Sequence, residues 1–455
     1  MQTIFAQHAR LPQGWAVNLR LTIESGRICS MESGAQPQPG DARADVLLPS
    51  LGNLHSHSFQ RAMAGMTEYR AAGKDSFWTW RELMYRFVDR ITPEQYEAIA
   101  ALVFMEMLEA GYASAGEFHY VHHQPGGAHF ASLTELSERV FAAASQTGIG
   151  LTHLPVLYTY GGAGKQALNG GQQRFGNSVA EFSELVARAR KIAARDLPQD
   201  ACVGIAPHSL RATCPEDLAA VLQIQDGLPV HIHISEQPKE VADISDWLAA
   251  RPVEWLLDNA PVDGKWCLIH ATHMTSAETG GMARSGAVAG LCPITEANLG
   301  DGPFNGREYL AKDGAFGVGS DSNVRISMPE ELRTLEYSQR LRDLARNVLV
   351  PGAGSVGETL YLGAAKGGAQ ALGRDGGRIE EGALADLVAI DSSVPALCAL
   401  KPEQMLDGLC FAAGDDTVTD VWSAGRHIVQ QGRHIARDSV VAGYRTAISD
   451  LLNSL

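Results

Sequence analysis

Cysteine is scarce in this sequence: there are seven in 455 residues, and no two of them form a CxxC pair. An odd number of widely spaced cysteines does not suit the set of disulfide bonds that stabilises many small secreted proteins. Most of these cysteines stand among apolar residues, where a thiol packs as a small core side chain. The pattern indicates a reducing compartment, and we expect the protein to work in the cytoplasm.

Basic residues are also fewer than acidic residues in this sequence. The chain has 37 lysines and arginines against 52 aspartates and glutamates, which gives a net charge of -15. Nucleic acids and anionic membranes attract basic surfaces, so this balance argues against both as partners. An anionic substrate would therefore have to be held by arginines placed locally against the overall field.

Long apolar runs are missing as well. No stretch of about 18 apolar residues occurs, which is the length that a membrane-spanning helix needs. Residues 1–15 contain no basic segment followed by an apolar one. We therefore expect neither a signal peptide nor a membrane span.

Short apolar runs alternate with helical patterns through the middle of the chain. The eight runs lie at 44–57, 114–121, 148–158, 202–210, 228–236, 265–273, 287–295 and 315–322. They are apolar on both faces, as strands of a parallel sheet covered on both sides should be. Eight such strands separated by helices predict an α/β fold of the (β/α)8 barrel type.

The two ends of the chain show a different pattern, with short alternating stretches and turns. Residues 1–47 and 380–440 are predicted to form one small β-sandwich built from both termini. The barrel then occupies 48–379, and a C-terminal helix occupies 441–455. Irregular loops at 71–80 and 161–173 follow strands one and three, and we expect them at the active-site face of the barrel.

Side chains that bind metals or move protons stand at the ends of four predicted strands. They are His55 and His57 on strand one, His233 and Glu236 on strand five, His270 on strand six and Asp321 on strand eight. The carboxyl ends of barrel strands meet at one face, so these side chains should converge. Strand alternation also puts His55 and His57 on the same side of their strand.

Imidazole nitrogens with a carboxylate oxygen suit zinc or another divalent transition metal that keeps one position open for water. A bound metal lowers the pKa of that water to about 7, and Glu236 is placed to take the proton. A single HxH pair, or His233 alone, is a weak signal; the four strand ends together carry the prediction. His231, two residues before His233, is expected to point away from the metal.

These residues resemble the amidohydrolase superfamily, with HxH on strand one, histidines on strands five and six, and aspartate on strand eight. The resemblance covers nearly the whole chain, including GALADLVAID at 382–391. It implies that one divalent metal per subunit, most often Zn²⁺, is bound by His55, His57, His233 and Asp321. It also implies a homodimer, a proton-carrying Glu236 and a catalytic His270, with Asp321 serving both the metal and the reaction.

The lack of a bridging lysine limits the number of metal ions that we expect. Binuclear members of that superfamily bridge two metals with a modified lysine or a glutamate from a middle strand. Strands three and four carry no lysine at their ends, and Lys165 lies further along its loop. Glu117 on strand two remains a weak bridging candidate. A single metal is therefore favoured, and with it the deaminating branch.

Further stretches resemble members of that branch that act on a linear amidine. They are NLHSHSFQRAMAG (53–65), DSFWTWRELMYR (75–86), EFHYVHH (117–123), HSLRA (208–212), HIHISEQ (231–237) and EANLGDG (296–302). The resemblance implies a small dianionic substrate derived from an amino acid, N-formimino-L-glutamate of histidine breakdown. Water would replace its imino group, with N-formyl-L-glutamate and ammonia as products.

By the same resemblance, the substrate pocket consists of Gln60, Arg81, Tyr120, His208 and Arg211. Arginine presents a planar fork that holds a carboxylate through two hydrogen bonds, which suits a dianion. Alternatives stay open at this stage. Arg61 can replace Gln60, Arg81 can form a salt bridge on a helix surface, and Tyr120 and His208 can be packing residues.

Two other functions are compatible with the motifs. One is deamination of an aromatic heterocycle such as guanine or a pterin, which would favour stacking and amide hydrogen bonds over two arginines. The other is a non-catalytic relative that binds a metal or metabolite. A complete ligand set together with Glu236 argues against the latter, because a binding protein needs no proton carrier.

Overall fold

The computed structural model describes residues 1–69 and 77–454, so residues 71–76 of the loop predicted at 71–80 lie outside the described residues. The strands in this part of the chain are β1 (Gln2–Leu11), β2 (Gly14–Glu24), β3 (Arg27–Glu32), β4 (Ala42–Pro49), β5 (Leu51–Ser56), β6 (Tyr112–His119), β7 (Gly150–Leu157), β8 (Cys202–Val203), β9 (Ala206–Pro207), β10 (Val230–Ile234), β11 (Trp266–His270), β12 (Val288–Leu291), β13 (Ala315–Val318), β14 (Leu387–Ile390), β15 (Val418–Ser423), β16 (Arg426–Gln430) and β17 (Arg433–His434).

The helices follow the barrel strands and the terminal sheet. They are α1 (Phe77–Val88), α2 (Pro93–Glu109), α3 (Glu135–Thr147), α4 (Val179–Asp196), α5 (Pro215–Val221), α6 (Pro238–Leu248), α7 (Pro252–Asn259), α8 (Ser276–Ser285), α9 (Pro293–Leu299), α10 (Gly306–Leu310), α11 (Met328–Asp343), α12 (Val356–Ala371), α13 (Met405–Phe411) and α14 (Arg437–Ser454). Short 3₁₀ turns lie at 58–63, 125–127, 170–174, 222–224, 402–404 and 415–417. Within residues 1–69 and 77–454, no helix has the length and apolar character needed to cross a membrane.

The predicted (β/α)8 barrel is confirmed. Strands β5 to β8 form one parallel run and β10 to β13 form another, with β9 paired to β7. Parallel bridges between Ile205 and Val230, and between Ser56 and Asp321, join the two runs into a closed ring. Closure brings the end of β5 beside the segment that follows β13, so the first and eighth barrel strands meet at the candidate site.

The first apolar run, predicted as one strand, is divided between two sheets. β4 pairs antiparallel with β14 and ends at Pro49, which has no N–H to donate. The chain then turns through Ser50, whose N–H bonds to Asp386 O at 3.0 Å, and enters the barrel as β5. The change of sheet leaves His55 and His57 at the carboxyl end of the barrel strand.

The strands from both termini form one sheet in the order β17-β16-β15-β14-β4-β1-β2-β3. β3, at one end of this order, hydrogen-bonds to the segment 382–385 that leads into β14 in the middle. The sheet therefore folds over on itself in the manner of a sandwich. It encloses an apolar cluster that includes Ile4, Leu21, Leu387 and Trp422.

The barrel interior is apolar at its lower end. Leu54, Ile269 and Val288 pack there with Ala371 and Leu372 from the end of α12, which close the bottom of the barrel. His231 points into this lower region, where its Nε2 lies 2.8 Å from Ala371 O. These apolar side chains form a plug at the bottom of the barrel. Polar side chains that face the interior above this plug are therefore accessible only from the upper mouth of the barrel.

Candidate active site

Three imidazoles and a carboxylate converge above the apolar plug. His55, His57 and His233 each offer a ring nitrogen, and these nitrogens lie within 4.8 Å of one another. Nε2 of His55 lies 3.1 Å from Nε2 of His233. Oδ1 of Asp321 lies 3.4 Å from Nε2 of His55 and 3.3 Å from Nε2 of His57. Three imidazole nitrogens of the type that binds zinc thus lie together, with a carboxylate oxygen beside two of them.

Backbone carbonyls fix the tautomers of two of these rings. Nδ1 of His57 lies 3.0 Å from Phe118 O, and Nδ1 of His233 lies 3.1 Å from His208 O. A carbonyl only accepts, so each Nδ1 donates and each neutral ring turns the lone pair of Nε2 inward. Burial, more than any other factor, lowers the pKa of His55 to about 3. Neutral rings with lone pairs directed at one another fit a divalent cation between them.

The turn that carries Asp321 is held in a costly conformation. Asp321 has φ of 46° and Asn323 has φ of 55°, values that residues with a side chain rarely adopt. The side-chain amide of Asn323 donates to Asp321 O at 3.1 Å and to His57 O at 3.2 Å, which ties this turn to the end of β5. Burial alone would raise the pKa of Asp321, but the imidazoles of His55 and His57 hold it well below its usual range.

Glu236 and His270 lie side by side at the edge of this group. Nε2 of His270 is 3.8 Å from Oε1 of Glu236, and its Nδ1 is 3.2 Å from Oε1 of Glu296. Burial alone would lower the pKa of His270, but the charges of Glu236, Glu296 and Asp321 outweigh it and raise the pKa to about 10. A carboxylate and an imidazole whose cationic form is favoured therefore lie side by side.

Arg211 extends from the loop after β9 toward Glu236. Its Nη2 lies 3.1 Å from Oε2 of Glu236 and 3.8 Å from Oε2 of Glu240, and all three side chains are largely buried. The guanidinium also borders the open cleft. A carboxylate that enters the cleft can therefore reach a desolvated arginine.

The cleft above these groups brings together nearly every residue that the sequence singles out. Those that line it are His57, Gln60, Arg81, Tyr120, His208, Arg211, His233, Glu236, His270 and Asp321. His55 lies beneath, fully buried. Arg61, the alternative to Gln60, instead pairs with Glu106 at 2.8 Å, away from the cleft.

Aromatic hydroxyls connect several of the lining side chains. Nη2 of Arg81, on α1, donates to the hydroxyl of Tyr158 at 3.0 Å. Nε2 of Gln60 donates to the hydroxyl of Tyr120 at 2.8 Å, while Oε1 of Gln60 is buried with no hydrogen-bond partner in the described part of the chain. That acceptor is available to an N–H donor of a ligand.

Two glutamates near the site were not singled out from the sequence. Glu296 bonds to His270, and Glu240 bonds to the backbone of the turn that presents Glu236. Glu296 opens the stretch EANLGDG, which the family resemblance includes without assigning it a role. Tyr158 was also missed; it ends the third apolar run, where only the absence of lysine was considered.

Glu117, the weak bridging candidate, belongs to neither group of possible metal ligands and does not line the cleft. It accepts from the N–H and the hydroxyl of Ser58 at 2.9 and 2.7 Å, and burial raises its pKa to about 7. A second set of ligand types consists of His270, Cys292 and Asp321, and Asp321 also lies beside His55 and His57. Burial raises the pKa of the Cys292 thiol, which disfavours the thiolate that a metal would bind.

Comparisons with known proteins agree over the whole chain. A model described as the amidohydrolase family matches residues 46–428. A second model, described as the N-terminal domain of formimidoylglutamate deiminase HutF, matches residues 1–45. The formimidoylglutamate deiminase of Pseudomonas aeruginosa is 48% identical to this chain over 459 residues, and the alignment covers 100% of both sequences.

Two solved structures superpose on nearly the whole chain. An amidohydrolase from Brucella melitensis superposes with a TM-score of 0.95 at 49% identity, and the match covers 99% of this chain and 100% of the other. An adenosine deaminase from Xanthomonas campestris with bound zinc reaches a TM-score of 0.82 at 22% identity, covering 99% and 98%. The second likeness, at this identity, supports the fold alone.

Proposed function

The chain belongs to the amidohydrolase family, and from that membership we propose that it is a metal-dependent hydrolase that deiminates N-formimino-L-glutamate. The products are N-formyl-L-glutamate and ammonia, a step of histidine degradation. The 48% identity to a formimidoylglutamate deiminase along the full chain supports this reaction. The observation that carries it is that Glu236, Arg81 and Arg211 line one cleft together with three of the four proposed metal ligands, while the fourth, His55, is buried beneath it.

His55, His57, His233 and Asp321 would hold one divalent metal, which we propose to be zinc. The inward lone pairs and the low pKa of His55 support a cation among these side chains. When bound, such an ion supplies a water whose pKa falls to about 7 and polarises the atom that is attacked. The adenosine deaminase with the same fold was determined with zinc.

Arg211 and Arg81 are proposed to bind the two carboxylates of the substrate. Each guanidinium reaches the cleft from a different side, Arg211 from the loop after β9 and Arg81 from α1. Gln60, Tyr120 and His208 complete the pocket with hydrogen-bonding groups between them. A neutral amidine offers these guanidinium groups no carboxylate and forgoes the charge-assisted hydrogen bonds, so it should bind poorly.

Glu236 is proposed to carry the proton. It accepts a proton from the attacking water, and the oxygen adds to the formimino carbon. Glu236 passes this proton to the imino nitrogen, and it then carries the proton of the new hydroxyl group to the same nitrogen as the C=O bond forms and the C–N bond breaks to release ammonia. His270, which Glu296 orients through its Nδ1, is placed to stabilise the charge that develops on the oxygen bound to the tetrahedral carbon.

A single assay separates this function from its rivals. Zinc-loaded protein is incubated with N-formimino-L-glutamate, and ammonia and formamide are measured in the same tube. Ammonia at tens of turnovers per second, an ordinary enzymatic rate, is the expected result. Formamide without ammonia would keep the substrate but show cleavage of the other C–N bond. If neither forms and guanine or a pterin is deaminated, the heterocycle alternative replaces this proposal.

We further propose that the protein works in the cytoplasm as a homodimer. All seven cysteines are free, which is the state that a reducing compartment maintains. The homodimer follows from the family resemblance, and light scattering during gel filtration tests it. A monomer at micromolar concentration would contradict the dimer without affecting the proposed reaction.

A further inference from the structure

Glu240 is a fully buried glutamate in the first turn of α6. Its Oε1 accepts from the N–H of Ser235 at 3.2 Å, and its Oε2 accepts from the N–H of Glu236 at 3.0 Å. Ser235 has φ of 51°, in the left-handed region that is costly for a residue with a side chain. The carboxylate of Glu240 therefore holds the strained turn from which Glu236 extends into the cleft.

The same carboxylate also approaches Arg211, which lines the cleft. Oε2 of Glu240 lies 3.8 Å from Nη2 of Arg211, the nitrogen that donates to Glu236 at 3.1 Å. One guanidinium nitrogen is thus placed between two carboxylates. If a substrate carboxylate draws Arg211 away from Glu236, Glu240 still gives the buried guanidinium a counter-charge and a direction.

We propose that Glu240 is a positioning residue for the deimination: its carboxylate aligns the backbone of Glu236 and the guanidinium of Arg211, so that proton transfer and carboxylate binding act on one substrate molecule. This rests on the function proposed above. Glu240 is not expected to touch the substrate, because it is fully buried and does not line the cleft.

Glu240→Gln removes the charge with little change in volume. An amide can accept one of the two backbone N–H groups, but its NH₂ then confronts the other N–H. Partners that orient catalytic groups typically cost 10- to 100-fold when replaced, so we expect kcat to fall by about that factor. KM for N-formimino-L-glutamate should rise about tenfold, because Arg211 loses the partner that directs it into the cleft.

The neighbouring strand–helix unit offers a matched control. Glu278, in the first turn of α8, is also buried; it accepts from Thr275 N at 2.7 Å and from Nε of Arg251 at 2.8 Å. In the described part of the chain, no hydrogen bond or ion pair joins Glu278 to Glu236 or Arg211. Glu278→Gln should lower the melting temperature while leaving kcat and KM per metal-loaded site unchanged.

The test compares wild type, Glu240→Gln, Glu278→Gln, Arg211→Met and the double variant Glu240→Gln/Arg211→Met. Metal content, melting temperature, kcat, KM and the calorimetric Kd for N-formyl-L-glutamate are measured for each. We expect Glu240→Gln to lower kcat in both backgrounds and to raise KM and Kd only where Arg211 is present. That split distinguishes positioning through Arg211 from a loss of fold.

Glu240→Asp provides a second variant if Glu240→Gln does not fold. It keeps the charge near Arg211 but is too short to reach both N–H groups, so kcat should fall while KM stays within about threefold of wild type. Values of kcat and KM in Glu240→Gln that match those in Glu278→Gln would overturn the positioning role. Absence of ammonia release by wild type itself would instead overturn the proposed function, and the positioning role with it.

Discussion

Nη2 of Arg211 lies 3.1 Å from Oε2 of Glu236, and both side chains are largely buried. The arginine proposed to bind a substrate carboxylate is therefore also the partner of the proposed proton carrier. A carboxylate entering the cleft competes with Glu236 for this guanidinium. With the proposed roles, binding of the substrate carboxylate to Arg211 would release Glu236 to act as the general base.

Replacing Glu236 by glutamine should abolish most turnover while leaving the metal bound. The amide keeps a hydrogen-bonding partner for Arg211 but cannot accept and return a proton. General acid–base groups contribute about 10²- to 10⁴-fold, so kcat should fall by about a thousandfold. Ammonia release and elemental analysis on the same sample provide the measurement. The exposed Glu184→Gln on α4 serves as control, and normal turnover in Glu236→Gln would refute the role.

Replacing Arg211 by methionine should weaken substrate binding more than it slows an already bound substrate. Hydrogen bonds to charged groups contribute about 1.5–3 kcal/mol, which corresponds to a rise in KM of roughly 10- to 150-fold. Calorimetry with N-formyl-L-glutamate measures the same loss without turnover. Arg188→Met, an exposed arginine on α4, provides the control. An unchanged Kd would exclude Arg211 as a carboxylate ligand.

Replacing Arg81 by methionine tests the second carboxylate contact. Its guanidinium donates to the hydroxyl of Tyr158 at 3.0 Å and packs over the ring of Tyr85, so the side chain is oriented by aromatic residues. We expect the discrimination between N-formimino-L-glutamate and an analogue lacking one carboxylate to shrink about tenfold or more. If wild type and Arg81→Met discriminate equally between these two compounds, Arg81 only forms part of the cleft wall and does not bind a carboxylate.

The barrel and the converging side chains were predictable because their signals are local. Each barrel strand is a short apolar run, and side chains at the carboxyl ends of parallel strands must meet at one face. His55, His57 and Asp321 could therefore be grouped before any distance was known. The proposed roles of Gln60, Tyr120 and His208, in contrast, came only from family resemblance.

Glu240 and Tyr158 could not be found in this way. Glu240 stands in the first turn of a helix, where acidic residues are common for reasons of the helix dipole, so its type carries no functional signal. Its role depends on the left-handed turn at Ser235, which only coordinates reveal. The division of the first apolar run at Pro49 and Ser50 likewise depends on pairing with β14, a strand more than 300 residues away.

Removing the metal should inactivate the protein and destabilise it. Chelation leaves the lone pairs of His55, His57 and His233 directed at one another without a cation. A ligand at a thousand times its Kd stabilises the native state by about 4 kcal/mol, so the melting temperature should fall by about 5 °C or more. One equivalent of zinc per chain should restore both the activity and the melting temperature.

His233→Ala should prevent this restoration, whereas His129→Ala should not, because His129 is half exposed and lies outside the ligand group. Elemental analysis gives the stoichiometry. Two equivalents of tightly bound metal in wild type would contradict the single-metal proposal.

The junction between the barrel and the terminal sheet should make the protein sensitive to acid. Asp200, just before β8, accepts from Nη1 of Arg426 at 2.7 Å and from Nη1 of Arg374 at 3.1 Å. Arg374 also donates to Asp386 at 3.0 Å. Burial alone would raise the pKa of Asp200, but the two guanidinium groups hold it below its usual value.

Because the folded pKa of Asp200 is lowered, its contribution to stability is present above the unfolded pKa of about 3.9 and is lost as the pH falls through the folded value. Asp200→Asn should therefore lower the free energy of unfolding at pH 7 by about 1–3 kcal/mol, and the difference from wild type should narrow below about pH 4. Urea titrations of metal-saturated protein from pH 7 to pH 3 measure this. Asp196→Asn, whose ion pair with Arg195 is exposed, should change stability by less than about 0.5 kcal/mol. Equal stability of Asp200→Asn and Asp196→Asn at pH 7 would show that this junction does not depend on the charge of Asp200.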